Sequence, residues 1–201
     1  MKKEFLPYEI VRNNALKLAH KIQQDGFIPD VIYVSLRGGA YLGNSISEYF
    51  KFFRKEGRPV YYAAVVARSY TGVGTSENFV RVDGWTYSPD HLRMGDKVLL
   101  IDDIFDTGRT LNYLANIIIE KGIPRSDLKI AVHDYKYFFD SPSQMPIQPD
   151  YWCRRFDLSV NDEPMWIHYL SHELDGLDRM SLEKYYYTTS PELREILKDI
   201  E

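Results

Sequence analysis

Apolar residues fall along the chain in two patterns. Ile10, Val11, Leu18, Ala19 and Ile22 recur at helical intervals and predict a helix over residues 8–25, stopped by Gly26. Residues 40–53 and 107–121 predict two more helices, the second ended by Gly122 and Pro124. Between them lie short runs that predict strands at residues 30–35, 60–67, 97–101 and 128–133. The run Val98-Leu99-Leu100-Ile101 is apolar at every position, as in a strand covered on both faces. Strands of this kind alternating with helices predict an α/β fold, a central parallel sheet flanked by helices.

Two stretches break the pattern. Residues 69–92 are long and polar, with Gly72, Gly74, Gly84 and Pro89, and predict a hairpin within a segment that is mostly loop. Loops of that length in compact domains are commonly functional. Beyond residue 135 come Pro142, Pro146 and Pro149, then aromatic runs at 151–156 and 165–170. These predict edge strands of a small C-terminal hood over about 135–180, followed by a peripheral helical tail over 181–201. The expected organisation is a single domain, 1–201.

Composition narrows the function classes. A chain of 201 residues with 44% hydrophobic and 27% charged residues can build its own core without disulfides or zinc. Cys153 is the only cysteine, which excludes an intrachain disulfide and argues against a cysteine metal site. The net charge of −4 weighs against nucleic acid or an anionic membrane as the main partner. No apolar run reaches membrane-spanning length, and none follows the basic first residues as in a signal peptide, so the cytoplasm is the expected compartment. The 16 Tyr, 10 Phe and 3 Trp suit a pocket for flat ligands or an oligomer interface.

The most informative segment is Val98-Leu99-Leu100-Ile101-Asp102-Asp103-Ile104-Phe105-Asp106-Thr107-Gly108-Arg109-Thr110-Leu111. A buried strand delivers two carboxylates at its tip, a tight turn follows, and a helix begins with Thr-Gly-x-Thr. Ligands of open α/β sheets bind outside the carboxyl ends of the strands. Free amides at a helix start, with threonine hydroxyls and a close-approach glycine, suit a phosphate. Two carboxylates cannot bind phosphate directly; they suit ribose hydroxyls or a Mg²⁺ that neutralises a polyphosphate. An isolated Asp-Asp would read as solvated loop acids, and Thr107 as a helix cap. The string fits neither a Walker loop nor an EF-hand.

This string resembles the phosphoribosyl-diphosphate (PRPP) signature of the type I phosphoribosyltransferases. The resemblance covers about residues 28–175. It implies that Thr107, Gly108, Arg109 and Thr110 cradle the 5′-phosphate and that Asp102 and Asp103 hold the ribose hydroxyls, with Asp103 near Mg²⁺. Ser35-Leu36-Arg37-Gly38-Gly39 resembles the family's pyrophosphate loop, which assigns Arg37, Gly38 and Gly39 to pyrophosphate and implies a cis peptide between Leu36 and Arg37. Ser69-Tyr70 resembles the lid of the 6-oxopurine enzymes. Lys136 corresponds to a lysine that donates to the purine 6-oxygen, and Trp166 and Ile167 to the pair that stacks on the base and reads its edge. Glu173 has the spacing of a second Mg²⁺ ligand.

Asp106 is implied to take or share the purine N7 proton while N9 attacks, and aspartate here marks 6-oxopurine enzymes rather than adenine enzymes. The resemblance thus implies a purine-salvage transferase that makes a nucleoside monophosphate and pyrophosphate from PRPP and a base, as a homodimer or tetramer. One departure affects the choice of base. His168-Tyr169-Leu170-Ser171-His172 stands where bacterial xanthine–guanine enzymes carry Phe-Pro-Trp-Glu. The alternatives are a regulator of this fold that senses PRPP or nucleotide, and a transferase for a non-purine acceptor. His168 and His172, spaced i, i+4, lack a third metal ligand in a run that reads as extended. Cys153 reads as a small buried residue.

Overall fold

The computed structural model describes residues 2–54, 56–71, 78–174 and 176–198. In chain order its elements are β1 (Lys2–Leu6), α1 (Tyr8–Gln24), β2 (Val31–Leu36), α2 (Ala40–Phe53), β3 (Tyr61–Thr71), β4 (Asn78–Trp85), β5 (Val98–Phe105), α3 (Arg109–Glu120), β6 (Leu128–Phe138), β7 (Tyr151–Leu158), β8 (Met165–Tyr169), and two short C-terminal turns of helix, α4 (Arg179–Leu182) and α5 (Leu193–Ile196). They form two compact units, Glu9–Asp162 and the smaller Met1–Tyr8 with Glu163–Glu201. Among the described residues no helix is long and apolar enough to cross a membrane.

The larger unit holds a six-stranded sheet in the order β4-β3-β2-β5-β6-β7. Every neighbouring pair is parallel except β3 with β4. The unbroken apolar runs follow from burial on both faces. Val31 and Tyr33 of β2, with Val98 and Leu100 of β5, join one core cluster with Leu114 and Ile118 of α3. Ile32 and Val34, with Leu99 and Ile101, join the other, with Leu18 and Ile22 of α1 and Leu42 and Ile46 of α2. Ile10, expected on the buried face of α1, is instead exposed, and Val11, Ala15, Leu18, Ala19 and Ile22 form that face.

The amino ends of the central strands are tied by charge. Asp30 accepts the Lys97 N–H at 2.8 Å and pairs with Arg54 at 2.7 Å, and Arg58 pairs with Asp96 at 2.7 Å. Burial alone would raise the Asp30 carboxyl, but the Lys97 N–H and the two guanidinium groups outweigh it and hold the carboxyl below its ordinary range.

Three further expectations are corrected. The run at 151–156, expected in a hood, is the edge strand of the main sheet, pairing parallel with β6 from Ala131↔Tyr151 to Phe138↔Leu158. A parallel neighbour needs a long crossover; residues 139–150 supply it, and their prolines read in sequence as the end of the α/β pattern. β5 does not stop at Ile101 but runs through Asp102 and Asp103 to Phe105, paired with β6 as far as Tyr135. The 69–92 stretch is more extended than expected, with β3 reaching Thr71 and β4 starting at Asn78. Here Val82 packs toward the core while Asp83 pairs with Arg68 and Arg81 on the exposed side.

In the smaller unit β1 pairs parallel with β8, Lys2↔Met165 through Leu6↔Tyr169. Leu177, Leu182 and Tyr187 form its own core with Phe5 packed against them, and Asp178 caps α4 by accepting the Ser181 N–H at 2.8 Å.

Candidate functional site at the carboxyl ends of β2, β5 and β6

The tips of β2 and β5 meet through glycines. The Leu36–Arg37 peptide is cis, as the resemblance implies. A methyl on Gly38 would overlap both carboxylate oxygens of Asp103, and one on Gly39 would come within 2.8 Å of the Ile101 carbonyl and 2.9 Å of the Asp102 Cα. Glycine is thus required for the loop to lie against the acidic strand end. Arg37 is exposed beside it.

The two acids are held differently. Asp102 accepts the Asp103 N–H at 3.0 Å, and Asp103 accepts the Ile104 N–H at 2.8 Å. Burial and then the adjacent Asp103 charge push the Asp102 carboxyl well above its ordinary value, and the buried Ser35 hydroxyl opposes this by hydrogen bonding to it. A carboxyl raised on folding favours the fold most below the ordinary carboxylate pKa, and that contribution is lost as pH rises through the raised value. Asp102→Asn is therefore expected to raise the melting temperature at pH 7 by roughly 2–4 °C. The gain should shrink at pH 4, read by thermal denaturation at both pH values. An equal or lower melting temperature at pH 7 would show that this carboxylate is not penalised.

Past Phe105 the chain turns at Gly108, which has φ +76°; a methyl there would strike the Phe105 ring. α3 begins at Arg109 with no side-chain cap and no acid in its first turn. Capping acids stabilise helix starts and cations do not. An uncapped start opening with Arg109 thus breaks the local rule in the way an anion site does. The Thr107 hydroxyl takes only a long 3.5 Å contact from the Arg109 N–H.

Beside this turn lies a cleft of about 250 Å³, lined by Phe105, Asp106, Thr107, Arg109, Lys136, Tyr137, Phe138 and, from the β6–β7 connection and beyond, Ser141, Ser143, Gln144, Met145, Gln148 and Val160. Small-molecule sites usually enclose roughly 300–1,000 Å³, so a volume this size suits part of a ligand. Within it the Lys136 ammonium lies 3.0 Å from an Asp106 carboxylate oxygen. The Lys136 side chain is 10% exposed and that of Asp106 is 54% exposed. The cleft therefore presents an acceptor beside a donor, with the carboxylate facing solvent.

The larger unit thus brings together Arg37, Gly38, Gly39, Asp102 and Asp103 at one pair of strand tips, and Asp106, Thr107, Arg109 and Lys136 along one cleft. Ser69 and Tyr70 pair through their backbones with Val80 and Phe79, but their side chains lie outside the described residues. In the smaller unit Trp166 is 46% exposed while Ile167 is buried. Glu173 accepts the Tyr169 N–H at 3.0 Å, and its backbone carbonyl lies 3.1 Å from His168 Nε2. His168 sits in β8 and His172 beyond its end, stacked on Tyr169, so their spacing is not helical. Cys153 lies in β7, where burial pushes its thiol up to about 12, unsuited to nucleophilic work at neutral pH.

Sequence reasoning left unassigned the Ser35 hydroxyl on Asp102, the Tyr137 and Phe138 walls, and the whole 141–148 contribution. Tyr137 and Phe138 directly follow Lys136 and were legible had β6 been extended; the 141–148 residues carried no local signal.

Comparison with known proteins bears on the family and the fold. Residues 4–136 match the family model described as the phosphoribosyl transferase domain. The bifunctional protein PyrR of Halalkalibacterium halodurans is 24% identical over 92% of this chain and 98% of its own. Among solved structures, a purine phosphoribosyltransferase from Pyrococcus horikoshii superposes with a TM-score of 0.65 at 22% identity, covering 89% of this chain and 99% of its own. A hypoxanthine phosphoribosyltransferase from Staphylococcus aureus gives 0.57 at 19% identity, covering 76% of each chain. At these identities the structural likeness speaks for the fold.

Proposed function

Because the chain belongs to the phosphoribosyl transferase family, we propose that it moves the 5-phosphoribosyl group of PRPP to N9 of a 6-oxopurine base: hypoxanthine, guanine or xanthine. The observation that carries the choice of acceptor is the Asp106–Lys136 pair at 3.0 Å in the cleft beside the phosphate turn. A 6-oxopurine presents an N–H at N7 and a carbonyl at C6 on one edge. Those two groups match a carboxylate acceptor beside an ammonium donor. A 6-aminopurine would place N–H groups against the ammonium, leaving donors facing each other.

In this reading the uncapped amides and hydroxyls of Thr107 to Thr110 hold the 5′-phosphate, Arg37, Gly38 and Gly39 hold pyrophosphate, and Asp102 and Asp103 hold the ribose hydroxyls. The C1–O bond breaks with its electron pair leaving on pyrophosphate, which yields a sugar oxocarbenium. Purine N9 then forms the new bond to C1, and Asp106 takes the proton released through N7. Preorganised charge on the departing pyrophosphate is the largest catalytic contribution.

Among the described residues no cluster of three or more ligating side chains forms a metal site. Two adjacent carboxylates suit Mg²⁺, which takes one or two protein ligands and fills its shell with substrate phosphate and water. The raised Asp102 carboxyl is a group whose charged form a divalent cation would stabilise. When bound, Mg²⁺ supplies Lewis-acid charge to the pyrophosphate. Glu173, whose carboxylate accepts the Tyr169 N–H, lies in the smaller unit with Trp166 and Ile167, and for all three the proposed role, second Mg²⁺ ligand or base reading, rests on the resemblance.

A second reading, a PRPP- or nucleotide-sensing regulator, is favoured by the nearly full-length match to a protein described as bifunctional. The deciding experiment supplies PRPP, Mg²⁺ and, separately, hypoxanthine, guanine, xanthine, adenine and uracil, and assays pyrophosphate. Turnover with 6-oxopurines and not with adenine is expected. Tight PRPP binding without turnover on any base would give the sensor; turnover on uracil alone would give a non-purine transferase.

A further inference from the structure

Asn112, in the first turn of α3, is 4% exposed. Its Nδ2 donates to the Gly108 carbonyl at 3.0 Å and to the Ile147 carbonyl at 2.7 Å, while its Oδ1 accepts the Ile147 N–H at 2.9 Å. Both amide hydrogens and one oxygen lone pair are thus spent on two stretches of backbone far apart in sequence. One is the turn that opens α3. The other is the β6–β7 connection, which brings Ser141, Ser143, Gln144 and Gln148 to the cleft that Thr107 and Arg109 also line. A second tie, from the Tyr135 hydroxyl to Gln148 Oε1 at 2.5 Å, fixes the same connection to β6.

The bond to Gly108 bears on aim. The Gly108 carbonyl accepts both the helical Asn112 N–H, at 2.9 Å, and the Asn112 side chain. A peptide unit is planar, with its carbonyl and N–H pointing opposite ways. Holding the Gly108 carbonyl into the helix therefore directs the Arg109 N–H out of the helix start. Gly108 has no side chain to resist rotation of that peptide, and the Asn112 side chain adds a second hold on its carbonyl beside the helical one. Asparagine is a poor helix former, and burying an amide gains nothing over burying leucine unless its hydrogen bonds do something.

We propose that Asn112 is a positioning residue for the phosphoribosyl donor. By clasping Ile147 and Gly108 together it sets the width of the cleft beside the phosphate turn and keeps the Arg109 amide aimed at the 5′-phosphate. The proposal rests on the reading of this turn as the phosphate cradle.

The test is Asn112→Ala and Asn112→Leu, assayed for KM of PRPP, KM of the base and kcat, with thermal shift by ribose 5-phosphate as a direct binding readout. KM for PRPP should rise about 10- to 100-fold, with base KM within about threefold, and the thermal shift should be lost at ligand concentrations that saturate the unaltered chain. Ile147→Pro removes the N–H given to Asn112 together with a side chain packed against the core, and keeps the test available if the helix variants do not fold, with Ile147→Ala as the control that retains the N–H; the proline variant should raise KM for PRPP in the same sense, by less, and the alanine variant should leave it unchanged. Lower melting temperature with unchanged KM and unchanged shift would make Asn112 a purely structural residue and overturn the proposal. If the unaltered chain shows no shift with ribose 5-phosphate, the phosphate cradle itself fails, and this inference with it.

Discussion

Asp106→Asn is expected to lower kcat by about 10²–10⁴-fold while leaving KM for PRPP within about threefold. The split follows from where Asp106 sits. It lines the cleft with its carboxylate 54% exposed and 3.0 Å from Lys136, past the Asp102-Asp103 pair to which the proposed function gives the ribose. The proposed function confines its work to the step in which N9 becomes nucleophilic, so its loss should appear in the chemical step. Asparagine keeps an oxygen for the Lys136 ammonium, whereas Asp106→Ala removes it from a cation whose side chain is only 10% exposed. The alanine variant should therefore fall at least as far in kcat and also weaken base binding. Steady-state kinetics with the preferred base separate the two. Equal losses in kcat and in PRPP affinity for the asparagine variant would move Asp106 to the binding of the sugar.

Gly38→Ala carries the second large effect. The added methyl occupies the space of the Asp103 carboxylate, and the loop cannot retreat easily, because Gly39 behind it lies against the Ile101 carbonyl and the Asp102 backbone. Either Asp103 swings away or the Arg37-Gly38-Gly39 loop lifts. A displacement of about 1 Å at either group can cost on the order of 10²-fold in kcat/KM. The stability cost should be modest, roughly 1–3 kcal/mol, since the overlap lies at the strand tips and not among the core side chains. Kinetics on PRPP together with a melting curve test this. A folded Gly38→Ala variant with normal kcat/KM would remove this loop from the site.

What could be read from sequence was what is local in sequence. The strand–turn–helix from Val98 to Leu111 carries its own chemistry, and the Arg37-Gly38-Gly39 loop is recognisable because the close approach to Asp103 needs no side chain at Gly38. β7 was misplaced because a parallel edge strand is defined by its partner, and the crossover over 139–150 contains none of the described helices that usually mark one. β1 escaped notice because Lys2–Leu6 alternates weakly and its partner Met165–Tyr169 lies at the far end of the chain. Asn112 was silent for the same reason. Its meaning depends on Ile147, and nothing near it in sequence distinguishes it from any polar helix residue. Ile10 shows the limit of periodicity: helical spacing gave it a place on the apolar stripe, but the stripe is centred on Val11, Ala15 and Leu18.

The central claim is that the peptide from Asp102 to Thr110 closes around an activated sugar phosphate. Amide hydrogen exchange, followed by mass spectrometry with and without PRPP and Mg²⁺, tests it most directly. Peptides covering residues 102–112 should exchange markedly more slowly on binding, with the 36–39 loop protected alongside them. Protection confined to other segments, or none at saturating PRPP, would contradict the account.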